Sequence, residues 1–131
     1  MKALIDGNII LDVLQNRKAF VTDSLAVWNL CESGKISGYV SSLTFANLVY
    51  ILRKELDAEK TEALYHAMSK IFHFVDFRAS DAEAAAMAQW NDFEDAVQSM
   101  TAVRLNLDAI VTRNTKDFML SSVPASLPGA I

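Results

Sequence analysis

The chain has one cysteine, four glycines and two prolines in 131 residues, and no apolar run that approaches membrane-spanning length. The single thiol, Cys31, excludes an internal disulfide. Its neighbours Val27, Trp28 and Leu30 mark it as buried and inert rather than nucleophilic, and such a chain suits a reducing cytoplasm. Asp6 interrupts the N-terminal apolar run before a signal-peptide core can form, so the chain is expected to be soluble and not exported. There is no glycine-rich loop to cradle a phosphate. His66 and His73 lack the paired spacing of a zinc site and are read as structural or surface residues. Positive charge is also in deficit: 12 Lys and Arg against 16 Asp and Glu give a net charge of -4. That balance excludes a protein that coats nucleic acid by general phosphate attraction, so any nucleic-acid contact must be local. No repeat, linker or low-complexity tract divides the chain.

What the chain has is core. With 52% apolar residues it can furnish one domain, residues 1–131. Val21, Leu25, Trp28 and Cys31 follow one helical face that stops at Gly34, and Ile36 to Val40 is a short strand. Helical patterns run through Phe45, Leu48, Val49 and Leu52, and again from Ala58 to about Lys70. Phe72 to Phe77 is a further strand. Ser80 with Glu83 fits a capping box for the Ala-rich run Ala82 to Trp90, a scaffold helix with little chemistry of its own. After Asn91 and Asp92, a new helix carries Phe93, Val97, Met100, Val103 and Leu107 along one stripe. Ala109 to Val111 is a compact buried strand, and the proline-punctuated tail adds at most an edge strand. Short apolar strands alternating with helices predict an α/β layer structure with a largely parallel sheet.

The stretch Lys2 to Asn8 organises the chemistry. Ala3, Leu4 and Ile5 form an apolar run that stops at Asp6, and Ile9, Val13 and Leu14 follow at helical spacing. Asp6 therefore sits at the carboxyl end of a strand, just before a helix, at the edge where open α/β sheets bind ligands. Asp6 or Asn8 serves equally well there as a helix cap. Similar polar ends occur at two later junctions: Asp92, Glu94 and Asp95 at a helix start, and Thr112, Arg113, Asn114 and Asp117 after a strand. If parallel strands bring these ends together, Asp6, Asp95 and Asp117 crowd negative charge into one cleft, an arrangement that is costly without a cation. Oxygen-only ligands favour magnesium or manganese.

Each residue also has a structural reading. Capping is the stronger one for Asp92, whereas Asp95 lies off the stripe through Phe93, Val97 and Met100 and is free to face a cleft. Asn114 and Asp117, taken alone, read as turn residues, and only their combination with Asp6 is informative. Among Arg17, Lys18, Arg53, Lys54, Arg113 and Lys116, most are solvated surface charge. Arg113 and Lys116 flank Asn114 and are the candidates to touch a substrate phosphate.

The opening LIDGNIILDVL, the segment SSLTFANLVYIL, the helix start DFEDAVQ and the closing IVTRNTKDF, in that order and spacing, resemble the PIN domain, the ribonuclease fold found in VapC-type toxins. The resemblance implies a three-layer α/β/α fold with a central, largely parallel sheet flanked by helices. It implies a metal-dependent endoribonuclease in which Asp6, Asp95 and Asp117 hold Mg²⁺ or Mn²⁺, with Asn47, Asn114 and Thr112 in support. RNA would be cut to 5′-phosphate and 3′-hydroxyl ends. A homodimer and a cognate antitoxin are the partners it implies.

Two departures stand out. Many family members have Glu where this chain has Asn47, and a hydroxyl residue where it has Gly7. An amide oxygen can reach a metal or its water but brings no charge and cannot act as a base, so weak metal affinity is expected. Glu94 is an extra acid beside Asp95, but adjacent helical side chains point about 100° apart, which gives it little weight. Asn47 keeps open a degenerate PIN domain that binds RNA or a protein without cutting. A haloacid-dehalogenase-like phosphatase also places an Asp after its first strand, but needs a second Asp where this chain has Asn8.

Overall fold

Ala3, Leu4 and Ile5 are each 0% exposed, a condition met by a strand covered on both faces. In the computed structural model, which describes residues 1–131, that strand is β1 (Lys2–Ile5). It is joined by β2 (Ser37–Ser41), β3 (His73–Val75), β4 (Ala109–Val111) and β5 (Ala125–Ser126) in the order β3-β2-β1-β4-β5, with every pairing parallel. The helices are α1 (Gly7–Leu14), α2 (Val21–Glu32), α3 (Ser42–Ile51), α4 (Ala58–Ser69), α5 (Ala79–Ala88) and α6 (Phe93–Arg104).

Side-chain alternation along the strands splits the core in two. Ala3, Ile5, Ala109 and Val111 join Ile9, Val27, Leu48 and Met68 from α1 to α4 on one face. Leu4 and Ile110 pack with Ala102 and Phe118 on the other, where Ala85 of α5 meets Ala96 and Val97 of α6. The result is the expected three-layer α/β/α arrangement with a parallel central sheet. Two glycines are placed by need. Gly34 takes a left-handed φ of 78° just beyond α2, and a Cβ on Gly38 would come within 2.6 Å of Cys31 Sγ. Cys31 is buried, and burial pushes its thiol up to about 11, in keeping with an inert role.

Several local expectations shift. β3 is confined to His73–Val75, and Phe77 is exposed. α5 begins at Ala79 without a Ser80–Glu83 box: the Asp81 carboxylate accepts from Arg78 N–H at 3.1 Å and receives Arg104 of α6 in a two-pronged ion pair at 2.9 Å. Burying Asp81 against a helix on the same layer decides where the chain turns. The buried faces of α2 and α6 are rotated from the apolar stripes. Leu25, Phe93 and Val103 are exposed, while Ser24, Gln98, Ser99 and Thr101 are inside. Small and hydroxyl side chains allow close packing, and their hydroxyls find local partners, as Thr101 Oγ1 does at Val97 O (2.9 Å). No helix is long and apolar enough to cross a membrane.

Candidate active site

The sheet order reverses direction between β1 and β4, and the carboxyl ends of those two strands form the crevice where doubly wound sheets hold ligands. Asp6 follows β1 and Thr112 follows β4. Asp6 Oδ1 accepts from Gly7 N–H at 2.8 Å, and Oδ2 accepts from the fully buried Thr112 hydroxyl at 2.8 Å. Asp6 therefore is the N-cap of α1, as the structural reading had it, and is also fixed across the crevice. Asn8 bridges the same two strands: its amide nitrogen reaches Asp6 Oδ2 and Thr112 Oγ1, both at 3.4 Å, and its oxygen accepts from Arg113 N–H at 3.4 Å. Thr112 Oγ1 in turn accepts from Asn114 N–H at 3.1 Å, which sets the start of the following turn.

A cleft of about 200 Å³ opens at this edge, lined by Asp6, Asn8, Thr44, Asn47, Asp92, Glu94, Asp95 and Asn114 among others. Asp117, on the short 3₁₀ turn Thr115–Phe118, lines an adjoining cleft of about 190 Å³ with Lys116. Asp92 and Asp95 border both. The three acids singled out in the sequence are thus brought to one edge. Asp6 and Asp95 share a cleft, and Asp117 reaches Asp95 from the side. Asn114 has no capping hydrogen bond from its side chain. Asp92 does cap α6, accepting from Asp95 N–H at 3.0 Å, which leaves the Asp95 carboxylate unused by the helix.

The electrostatics follow from this crowding. Burial raises the Asp6 carboxyl above its ordinary range, against hydrogen bonds from Thr112, Gly7 and Gln98, with Asp92 adding repulsion. Asp95 is pushed up to about 7, first by burial and then by the charges of Asp92, Asp6, Asp117 and Glu94. Glu94 is likewise raised by burial, offset by hydrogen bonding from Asn47, with Asp6 and Asp92 contributing. Asn47, beside the buried Leu48, lines the cleft with these acids. Glu94 shares that cleft, a position that helix geometry alone undervalued.

The donors are hard oxygens, and their mutual repulsion is what a divalent cation relieves, so the set suits Mg²⁺ or Mn²⁺ in chemistry. No three His, Cys, Asp or Glu side chains are grouped so as to hold one ion by themselves.

Arg113 turns inward. Its guanidinium forms a two-pronged pair with Asp12, which is 0% exposed, at 2.8 and 3.2 Å, and lies over the Phe20 ring at 3.9 Å. Ser24 and Arg17 complete the shell around Asp12. Of the two phosphate candidates, only Lys116 is exposed at a cleft. His66 and His73 are exposed away from it, His73 packed at a tilt against Tyr39 with ring centroids 4.9 Å apart. Sequence reasoning passed over Asn8 as a bridge, Asp12 as a buried ion, and Thr44 as a polar residue in the site wall with Gln98 donating to it. An acid between Leu11 and Val13 on an apolar helix was the one signal that could have exposed Asp12.

Comparison with known proteins agrees with this fold. No curated protein matches the chain. Among solved structures, a chain of a toxin–antitoxin complex from Klebsiella pneumoniae is 23% identical, with a TM-score of 0.70, covering 96% of this chain and 97% of that one. A chain of VapBC2 from Rickettsia felis bound to a promoter DNA fragment is 17% identical, with a TM-score of 0.70 and coverage of 97% and 98%. A chain of FitAcB from Neisseria gonorrhoeae is 19% identical, with a TM-score of 0.69 and coverage of 98% and 99%. A family model described as PIN domain matches residues 2–116, nearly the whole chain, and the chain belongs to the PIN domain family.

Proposed function

We propose that this PIN domain is a Mg²⁺- or Mn²⁺-dependent endoribonuclease of the toxin type, with Asp6, Asp95 and Asp117 as the acids that hold the metal. The observation that carries this reading is Asp95, whose carboxyl is driven to about 7 by burial and by the four acids around it at the sheet's switch point. A bound cation supplies Lewis acidity there, activating water and neutralising charge that grows on the phosphate oxygens. Asp6, braced by Thr112 and Gly7, offers a pre-oriented oxygen. Asp6, Asp95 and Asp117 would hold the cation as carboxylates, Asn47 and Asn114 would offer neutral oxygens, and Lys116 would meet a phosphate of the RNA. No three acids converge, so a low affinity for the ion without RNA belongs to this reading. A homodimer, a cognate antitoxin and a cytoplasmic location belong to the same reading, of which the antitoxin is supported by the toxin–antitoxin complex among the structural neighbours. Family membership leaves no support for the phosphatase alternative.

A second reading, a degenerate PIN domain that binds RNA without cutting, is favoured by the neutral Asn47 and by the lack of a converged acid trio. One experiment separates the two. Purified protein and its Asp95→Asn variant are incubated with structured RNAs, with and without Mn²⁺, and the ends are sequenced. Mn²⁺-dependent cuts with 5′-phosphate ends, absent from a folded Asp95→Asn, support the nuclease; RNA retention without cuts at any metal concentration supports the binding module.

A further inference from the structure

The cleft of about 190 Å³ has two unlike walls: Asp95, Asp117 and Lys116 on one, and Trp90, Met119 and Leu120 on the other. Trp90 lies in the turn between α5 and α6, partly buried, in a T-shaped contact with Phe118 at 6.3 Å, and Phe118 is 3% exposed. The indole is thus held by the core while it borders the cleft. Met119 and Leu120 follow the 3₁₀ turn and are 81% and 79% exposed, more than any other large apolar side chain of the chain. Packing explains neither, because Phe118 already anchors this turn in the core. Single exposed apolar residues need no account, but these two are adjacent and share a cleft with an indole and a lysine.

Charge selects the occupant. The two clefts share Asp92 and Asp95, and Lys116 is the one cationic side chain that lines either of them. Arg113 is turned onto Asp12, and the chain as a whole carries a net charge of -4. A polyanion therefore finds little general attraction here and must gain binding from contacts that are not ionic. A nucleotide has the matching parts, a phosphate for Lys116 and a flat aromatic base for the apolar wall. A second copy of this chain is the poorer match, since it would set further net negative charge against the same acids. We propose that Trp90, with Met119 and Leu120, forms a subsite for one unpaired base of the RNA, stacked on the indole beside the phosphate that Lys116 meets. This subsite rests on the RNA-nuclease reading above. Stacking accepts any base, because each has an aromatic face, but the base must stand outside a helix. A duplex hides those faces, so the subsite favours unpaired segments over double-stranded RNA.

The chain has two tryptophans, and the other, Trp28, packs edge-on against Phe72 at 5.1 Å in the core on the opposite face of the sheet. Trp28→Phe therefore leaves Trp90 as the sole indole, and its fluorescence reports on the subsite directly. A short end-labelled oligoadenylate is added in Mg²⁺ by rapid mixing, so that the signal is read before any turnover. The same strand annealed to its complement is the paired control. The unpaired strand should quench Trp90 saturably and the duplex should not. Trp90→Leu in the parent chain should bind the labelled strand, followed by anisotropy, on the order of tenfold more weakly. A Trp90 signal that the unpaired strand leaves unchanged overturns the proposal, as do equal quenching by the duplex and undiminished affinity in Trp90→Leu. Quenching that follows protein concentration without RNA would make this wall an interface between copies, and also overturns it. Quenching without cleavage supports the subsite while the nuclease reading fails; cleavage without quenching does the reverse. Should Trp90→Leu not fold, Leu120→Ser, on an exposed side chain, is held to the same affinity criterion.

Discussion

Thr112 donates its hydroxyl proton to Asp6 across 106 positions of sequence, at 2.8 Å, and the bond joins the ends of two adjacent parallel strands. Thr112→Val keeps the shape but leaves Asp6 Oδ2 with only a weak contact from Asn8, and Asn114 N–H without its acceptor. Losing a half-buried hydrogen bond of this kind costs about 0.5–1.5 kcal/mol. Urea denaturation should show a drop in that range, and RNA cleavage should fall with it. Unchanged stability would mean that water replaces the hydroxyl and that the cross-strand bond is dispensable.

Stability without metal should depend on pH through the cleft acids. The folded-state value for Asp95 is about 7 against an ordinary 3.8, so the folded protein binds that proton more tightly than the unfolded chain does. The resulting penalty is absent below 3.8, grows as pH rises through the interval, and is complete above about 7. Asp6 is raised as well and acts in the same direction. Asp81, held low by Arg104 against its burial, stabilises above 3.8 and loses that contribution only in stronger acid. In EDTA, the urea midpoint should therefore be higher at pH 5 than at pH 8. Asp95→Asn should narrow the gap, and Mn²⁺ should restore stability at pH 8. A parent protein with equal midpoints at the two pH values would remove the charge-crowding account.

Asn47→Glu places a carboxylate next to Glu94 and within reach of Asp6. Without metal it adds repulsion and should lower the melting temperature; with metal it adds a ligand. The Mn²⁺ concentration for half-maximal cleavage should fall several-fold, on the scale of one added ligand charge, with little change at saturation. Opposite signs in the two conditions are the signature. A variant that matches the parent in both would place Asn47 outside the metal's reach.

Arg113→Met is expected to act on stability rather than on substrate. It leaves Asp12 buried with only Ser24 and the longer Arg17 contact at 3.6 Å, and breaking a buried pair from one side costs about 3 kcal/mol or more. The folded fraction should keep its KM for RNA, while Lys116→Ala should raise it. A raised KM for Arg113→Met at unchanged stability would return Arg113 to the phosphate-binding residues.

The strands and helices were legible because their signals are local. The runs Ala3–Ile5 and Ala109–Val111 can be little else than buried strands, and the acid after the first of them stands at the edge where open α/β sheets bind ligands, a position that suits a helix cap equally well. The family motifs added the identity of the acids that a single chain, read by periodicity, leaves ambiguous with caps. What stayed hidden depends on which side chains face one another. The apolar stripe of α6 predicted an inner face rotated from the real one because Gln98 and Ser99 are buried with partners on other elements and Thr101 bonds back to Val97 O, and a hydropathy pattern cannot see a partner. The same reason hid the partner of Arg113: its charge suggested phosphate, and Asp12, 101 positions earlier, sits fully buried within its reach. Glu94 looked turned away from Asp95 by helix geometry, yet the cleft is wide enough to include both. Sequence thus determined the elements, their order and the inventory of acids. Only the tertiary structure decided how those acids are braced, because a hydrogen bond needs both of its ends in place and the chain supplies them from opposite ends of its length.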